Sequence, residues 1–301
     1  MQEQPSRTAM ATAAARAAHL VVDRPPFLFE DTLAATLLGA PGRGLIAAHQ
    51  DTGPAQAPAL ACMRVAMTAR SAYAEHRAAQ AVQRGIGQCV ILGAGLDSFA
   101  YRSPLAARLV IFEVDHPATQ AWKTARLHAG AVPIPDTLRL VPVDFTVDSL
   151  ADRLAAAGFD RSRPAFLTWL GVTQYLPTDA ISRTLNVLTG FAPGTELVME
   201  YLLPAQLRDH GGQALAEFFM PKAAAAAEPW ITFLTTAQAR ELVTTHGWRV
   251  IADVGRQDQV EASLWQRRDS LRPHELGRLL HMIIPAANAP IGSRPSAPDE
   301  T

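Results

Sequence analysis

A short apolar run, residues 89–92, passes straight into Gly93-Ala94-Gly95-Leu96-Asp97-Ser98, and helical sequence follows. Four apolar residues are too few for a core helix and read as a buried strand. The glycines behind them let the backbone turn sharply and approach a ligand with no side chain in the way. The same unit recurs with short apolar runs at 109–114, 138–143, 165–170 and 197–202. Amphipathic stretches separate them, such as 147–157 with Leu150 and Leu154 four apart, and the stripe Ile181, Leu185, Leu188 between a capping Thr178 and Gly190. Near-continuous apolar strands alternating with helices predict a mostly parallel sheet covered on both faces.

The flanks read differently. Residues 9–20 are alanine-rich, the strongest helix-forming composition. Asp31 reads as the cap of a helix carrying Leu33, Leu37 and Leu38 on one face. Residues 39–58 hold several Gly and Pro and read as a loop, and 59–84 read as one long helix ending at Gly85. Residues 203–246 break the strand–helix rhythm with Gly211-Gly212 and Pro204, Pro221 and Pro229. They read as an insertion, followed by two strand candidates, 249–254 and 261–266, that would pair antiparallel at the end of the sheet. The predicted division is a helical cap over 1–85, an α/β core over 86–202, an inserted lid over 203–246, closing strands over 247–285 and a disordered tail over 286–301.

Composition removes several classes of function. With 301 residues, 49% of them hydrophobic and 18% charged, the chain can bury a large core. A formal net charge of −1 gives no basic footprint for nucleic acid. No apolar run reaches the roughly 18–20 residues of a membrane span, and the alanine-rich opening lacks the order of a signal peptide. Cys62 and Cys89 offer neither a metal-ligand spacing nor a disulfide framework. A cytoplasmic protein with no metal centre and no nucleic-acid or membrane partner is expected; the sequence assigns no oligomeric state.

Three strand ends carry the chemistry. In an open parallel sheet a ligand binds in the crevice at the carboxyl ends of the strands, where Gly93, Ala94, Gly95 and Asp97 follow the first strand. Glu113-Val114-Asp115 ends the second, with Asp115 20 residues beyond Gly95. A carboxylate there can accept hydrogen bonds from both hydroxyls of a ribose; it can equally cap the helix that opens at Pro117. Glu113 either orients the loop or binds a cofactor. At the third end, Asp144 can accept from an adenine amino group and Phe145 supply an apolar wall, or Asp144 can belong to the next loop. A third glycine, six residues after the first in some dinucleotide fingerprints, would fall at Phe99.

These segments together resemble the leucine carboxyl methyltransferase family, in its bacterial branch of S-adenosylmethionine-dependent O-methyltransferases associated with polyketide and other secondary metabolism. The resemblance runs from Thr8 to Arg267 and is carried by Ala69-Arg70-Ser71, the 92–98 and 112–117 segments, Asp144-Phe145 and Trp169-Leu170-Gly171-Val172-Thr173-Gln174-Tyr175-Leu176. It implies a Rossmann-like class I methyltransferase fold of seven strands, the last antiparallel, with S-adenosylmethionine as cofactor. It further implies that Arg70 pairs with the methionyl carboxylate, that Gly93 makes a backbone contact, that Asp115 holds the ribose, and that Asp144 and Phe145 hold the adenine. Leu170 stands where eukaryotic members have a glutamate for the cofactor's amino end. Backbone carbonyls of the 169–173 stretch, or another acid, must take that role here, and protein C-terminus methylation does not carry over.

The acceptor is expected to be a small hydrophobic molecule methylated on a carboxylate or hydroxyl, in a pocket lined by Tyr175, Tyr201 and His210 and closed by Phe218, Phe219, Met220 and Trp230 of the insertion. Tyr175 and Tyr201 read equally as core aromatics, and the four insertion residues equally as the lid's own core. His116 and His210 are the candidate bases, though no catalytic base is assigned. Two other readings stand: a nicotinamide-dependent oxidoreductase on a similar sheet, disfavoured by the missing third glycine, and a binding protein that keeps the cofactor pocket without turnover.

Overall fold

The computed structural model describes residues 6–50, 53, 56–144 and 148–286. Its centre is one sheet of seven strands: β1 (Gln88–Leu92), β2 (Val110–Asp115), β3 (Leu138–Pro142), β4 (Phe166–Trp169), β5 (Glu196–Leu202), β6 (Arg249–Val254) and β7 (Gly277–Ile283). The strand order is β3-β2-β1-β4-β5-β7-β6. β1 to β5 pair in parallel, and β7 runs antiparallel between β5 and β6. This is the predicted Rossmann-like methyltransferase sheet. After β3 the chain crosses to the other side of β1 to lay down β4, and the crevice between β1 and β4 opens at that switch point.

Helices cover both faces: α1 (Arg7–Val22), α2 (Ala34–Ala47), α3 (Ala57–Gln83), α4 (Phe99–Arg102), α5 (Pro117–Ala129), α6 (Leu150–Ala156), α7 (Thr178–Leu188), α8 (His210–Ala225) and α9 (Thr236–Thr245). One face packs Leu92, Leu167 and Met199 on Leu154 of α6, Leu185 of α7 and Val243 of α9. The other packs Ile91, Ile111 and Val198 against Tyr73, Ala78 and Val82 of α3. Local signals set the helix starts. Ser6 accepts from the N–H of Ala9 at the head of α1, and Thr235 and Gln238 form a reciprocal capping box on α9. His116, not Asp115, caps α5, through its Nδ1 and the N–H of Ala118.

Three expectations need correction. Residues 261–266 are no strand: Ala262–Trp265 is a short 3-10 turn, and Leu264 and Trp265 pack with Val260 around Leu271 and Val65. The last strand is β7, whose apolar run is interrupted by Arg278 and His281. Both find partners across the sheet, Arg278 at Asp253 of β6 and His281 at Glu196 of β5. The predicted loop over 39–58 is helical through Ala47, because α2 restarts after a break at Gly39 (φ +62°). Pro41 lies in the first turn past that break, where a helix needs no donor, and Leu38 and Ile46 pack with Ala13 and Ala17 of α1. Asp31 does not cap α2; it is buried in an ion pair with Arg16 of α1 at 2.8 Å. Within 203–246, α8 packs Leu215 and Ala216 beside Met63 and Ala66 of α3 and Leu202 of β5, while α9 inserts Ala239 and Val243 into the main cluster on the other face. Except for Ala286, the tail expected to be disordered lies outside the described residues.

Candidate functional site

A cavity of about 320 Å³ lies at the carboxyl ends of β1, β2 and β4. Its floor is the loop after β1. Gly93 and Ala94 donate their N–H groups to the carbonyl of Val114 at 2.9 and 3.1 Å, tying that loop to the end of β2. Gly93 has φ +70°, and a Cβ there would come within 2.4 Å of Val172 Cγ2, so only glycine fits. At the end of β2, Asp115 accepts from the N–H of Gly95 and, at 2.7 Å, from that of His116. Burial pushes its carboxyl upward, and those two backbone donors pull against the shift. Each oxygen keeps a further lone pair for a ligand hydroxyl. Asp97 also faces the cavity and accepts from Phe99 N–H at 2.7 Å.

The opposite wall comes from α3 and the turn after β4. Arg70 projects from α3 against Gly171, whose φ is +70° and where a Cβ would lie 2.9 Å from both Nη atoms of the guanidinium. Leu170 and Val172 flank it. The roof is α1. Arg16 Nη2 donates to the carbonyl of Leu96 at 2.7 Å, and Thr8 donates its N–H and hydroxyl to Glu228 across the cavity.

Arg70, Gly171, Thr8, Thr12 and Tyr175 also border a second cavity of about 440 Å³. Its walls are mostly apolar, with Met63 and Met67 of α3, Leu215 and Phe219 of α8, and Trp230. Trp230 Nε1 donates to Tyr175 Oη at 3.1 Å, so the insertion is stitched to the seam between the two cavities. Burial raises the Tyr175 phenol, which holds it as a neutral hydrogen-bonding group.

Of the predicted cofactor residues, Arg70, Gly93, Ala94, Gly95, Asp97, Asp115 and Leu170 come together around the first cavity. Glu113 does not. It is fully buried, pairs with Lys123 Nζ at 2.8 Å and accepts from Tyr101 Oη at 3.2 Å. Asp144 stands just beyond β3, its N–H donating to Asp148 at 2.9 Å, and is not among the described residues that line the cavity. Phe145 lies outside the described residues.

Of the predicted acceptor residues, Tyr175 lines the second cavity and Tyr201 and His210 do not. Side chains alternate along a strand. Glu200 and Leu202 therefore face this cavity, while Tyr201 points into the core on the other side and donates to Asp253 at 3.0 Å. His210 opens α8 on the exposed surface.

Sequence reasoning passed over Arg16, Glu200 and Arg256. Glu200 and Arg256 were visible in one respect: an acid inside the apolar run 197–202 demands a buried cation, since an unpaired buried charge is very costly.

The chain matches the leucine carboxyl methyltransferase family over residues 9–189, more than half its length. It belongs to that family. A Bacillus subtilis protein, YktD, named as an S-adenosyl-L-methionine-dependent methyltransferase, is 31% identical over 217 residues, covering 71% of each chain. A Mycobacterium bovis protein named in the same way is 35% identical over 212 residues, covering 67% of this chain and 68% of its own. Among solved structures, a Thermobifida fusca protein named as a methyltransferase superposes with a TM-score of 0.59 at 17% identity, over 94% of this chain and 96% of its own. A DUF574-family protein of Streptomyces avermitilis gives 0.58 at 16% identity, over 90% and 97%. At these identities the two structures speak to the fold alone. As a leucine carboxyl methyltransferase family member, the chain follows the fold expected from its strand–helix rhythm.

Proposed function

We propose that this protein is an S-adenosylmethionine-dependent O-methyltransferase acting on a carboxylate or hydroxyl of a small apolar molecule, of the kind made in polyketide and other secondary metabolism. The observation that carries the reading is one cavity with a glycine cradle, the Asp115 carboxylate and the Arg70 guanidinium, opening past Tyr175 into a mostly apolar chamber. The names of the relatives in Bacillus subtilis and Mycobacterium bovis support the same cofactor.

The residues fit that cofactor. Asp115 offers two carboxylate oxygens to ribose hydroxyls, and Gly93, which admits no Cβ, allows close backbone approach. Arg70 offers a planar fork to a carboxylate. Bound there, S-adenosylmethionine supplies an electrophilic methyl group on a sulfonium. The protein's part is alignment and exclusion of water. Arg70, Gly171 and Tyr175 border both cavities and define the seam where an acceptor oxygen must come up in line. Tyr175, held neutral by burial and fixed by Trp230, can hydrogen-bond that oxygen. A carboxylate acceptor is ionised at neutral pH and needs no base.

Calorimetric titration with S-adenosylmethionine and S-adenosylhomocysteine tests the reading. Both should bind the wild type, and Asp115→Ala and Arg70→Ala should each weaken binding by about tenfold or more, as loss of a charged hydrogen-bonding partner does. Binding of a nicotinamide dinucleotide instead would replace the reading with hydride transfer. A screen of apolar acids and phenols with methyl-labelled cofactor then addresses the acceptor.

A further inference from the structure

Arg70 does not stand alone. Glu200 Oε2 accepts from Arg70 Nη1 at 2.6 Å, and Glu200 Oε1 accepts from Arg256 Nη2 at 3.3 Å. Glu200 is 2% exposed and Arg256 1%. Arg256 is itself fixed, with Nη1 donating to the carbonyl of Ala66 at 3.1 Å and to Gln259 Oε1 at 2.7 Å. Ala66 lies one helical turn before Arg70 on α3. The Glu200 backbone is anchored too, since its carbonyl accepts from Thr173 Oγ1 at 2.6 Å. The carboxylate is therefore clamped from behind and cannot follow Arg70 if that side chain moves.

We propose that Glu200 is the positioning residue that sets the Arg70 guanidinium for the amino-acid end of the cofactor. The proposal rests on the assignment of Arg70 to the methionyl carboxylate given above. Glu200 borders the acceptor chamber and not the cofactor cavity, so it acts through Arg70. Arginine has several rotatable bonds, while recognition of a carboxylate by its fork requires a fixed plane. Glu200 takes one of the five N–H donors, and the contact with Gly171 limits the plane. Arg70 itself borders both cavities. A purely structural role, neutralising a buried arginine, would treat every ligand of the cavity alike.

The experiment compares S-adenosylhomocysteine with 5′-methylthioadenosine, which keeps the nucleoside and thioether but lacks the amino-acid end. Glu200→Gln should raise the dissociation constant of S-adenosylhomocysteine about tenfold, the weight of a charge-assisted hydrogen bond, and that of 5′-methylthioadenosine less than about twofold. Arg70→Met should show the same selectivity, and adding Glu200→Gln to it should cost nothing further. If Glu200→Gln does not fold, Glu200→Asp carries the same test, because it keeps the charge but withdraws the carboxylate by one methylene. Equal weakening of both ligands, or no weakening of S-adenosylhomocysteine, overturns the positioning role. Selective loss at Arg70→Met with none at Glu200→Gln overturns that role alone. No loss at Arg70→Met overturns the assignment of Arg70 beneath it.

Discussion

Gly93 carries two constraints at once. Its φ of +70° costs an L-residue about 1–2 kcal/mol, and a side chain there would meet Val172 at 2.4 Å. Gly93→Ala should therefore lower stability by about 2–3 kcal/mol in denaturant titrations and abolish S-adenosylhomocysteine binding. Val172→Ala in the same chain should recover part of the stability, since it removes the clashing methyl but not the strain. A variant as stable as the wild type would show that the loop after β1 can relax away from the turn after β4. The alternation of Glu200 and Tyr201 is decided at this scale too. A one-residue difference along β5 sends one side chain to Arg70 and Arg256 and the other to Asp253.

At the scale of elements, α1 works as a strap over the first cavity, tied at its first turn and at its middle. Arg16 fastens it to Leu96 and Asp31, and Thr8 fastens its first turn to Glu228 in the segment between α8 and α9. Glu228 accepts from a backbone N–H at a helix N-terminus, where a carboxylate is favoured. Glu228→Ala should free that end and speed release of S-adenosylhomocysteine about fivefold with little change in association, because differences among related complexes fall mostly on dissociation. Stopped-flow tryptophan fluorescence reads both rates; an unchanged release rate would mean that Arg16 and the packing of α1 on α2 hold α1 down without the Glu228 contact.

Across the whole molecule, buried titratable groups tie stability to pH. His274 is buried beside Arg256 and donates from Nε2 to the carbonyl of Cys62 at 3.0 Å. Burial chiefly, with the Arg256 charge adding to it, pushes its pKa from 6.5 down to about 4. Between those values the unfolded chain takes up a proton that the folded chain refuses. The stability is fully present above pH 6.5 and is lost as the pH falls toward about 4, by on the order of 3 kcal/mol. His274→Gln keeps a donor for Cys62 and removes the titration. Urea unfolding at pH 7.5 and 5 should show a larger loss for the wild type than for the variant; parallel losses would assign the acid sensitivity to other groups.

The sheet and the strand-end half of the first cavity were legible in the sequence because they depend on local information. Apolar runs of four to six residues mark β1 to β5, Gly93 and Gly95 mark a turn that only glycine accepts, and Asp115 sits at a strand end by counting alone. β7 was not legible, since Arg278 and His281 interrupt its apolar run and are tolerated only because Asp253 and Glu196 meet them from neighbouring strands. The helix past Gly39 was hidden for a similar reason: glycine and proline signal a loop locally, while packing of Leu38 and Ile46 on α1 decides otherwise. Glu113 and Tyr201 were drawn toward the site by their place in the sequence. The pleat sends Tyr201 to the other face, beside Asp253, while Glu113 shares the face of Asp115 but lies two residues deeper in β2, where Lys123 of α5 meets it. The sequence by itself determined the strand–helix rhythm and which residues stand at strand ends. Only the tertiary structure decided which side chains share a cavity, because burial of a charge is permitted or forbidden by what the rest of the chain brings within about 3 Å of it.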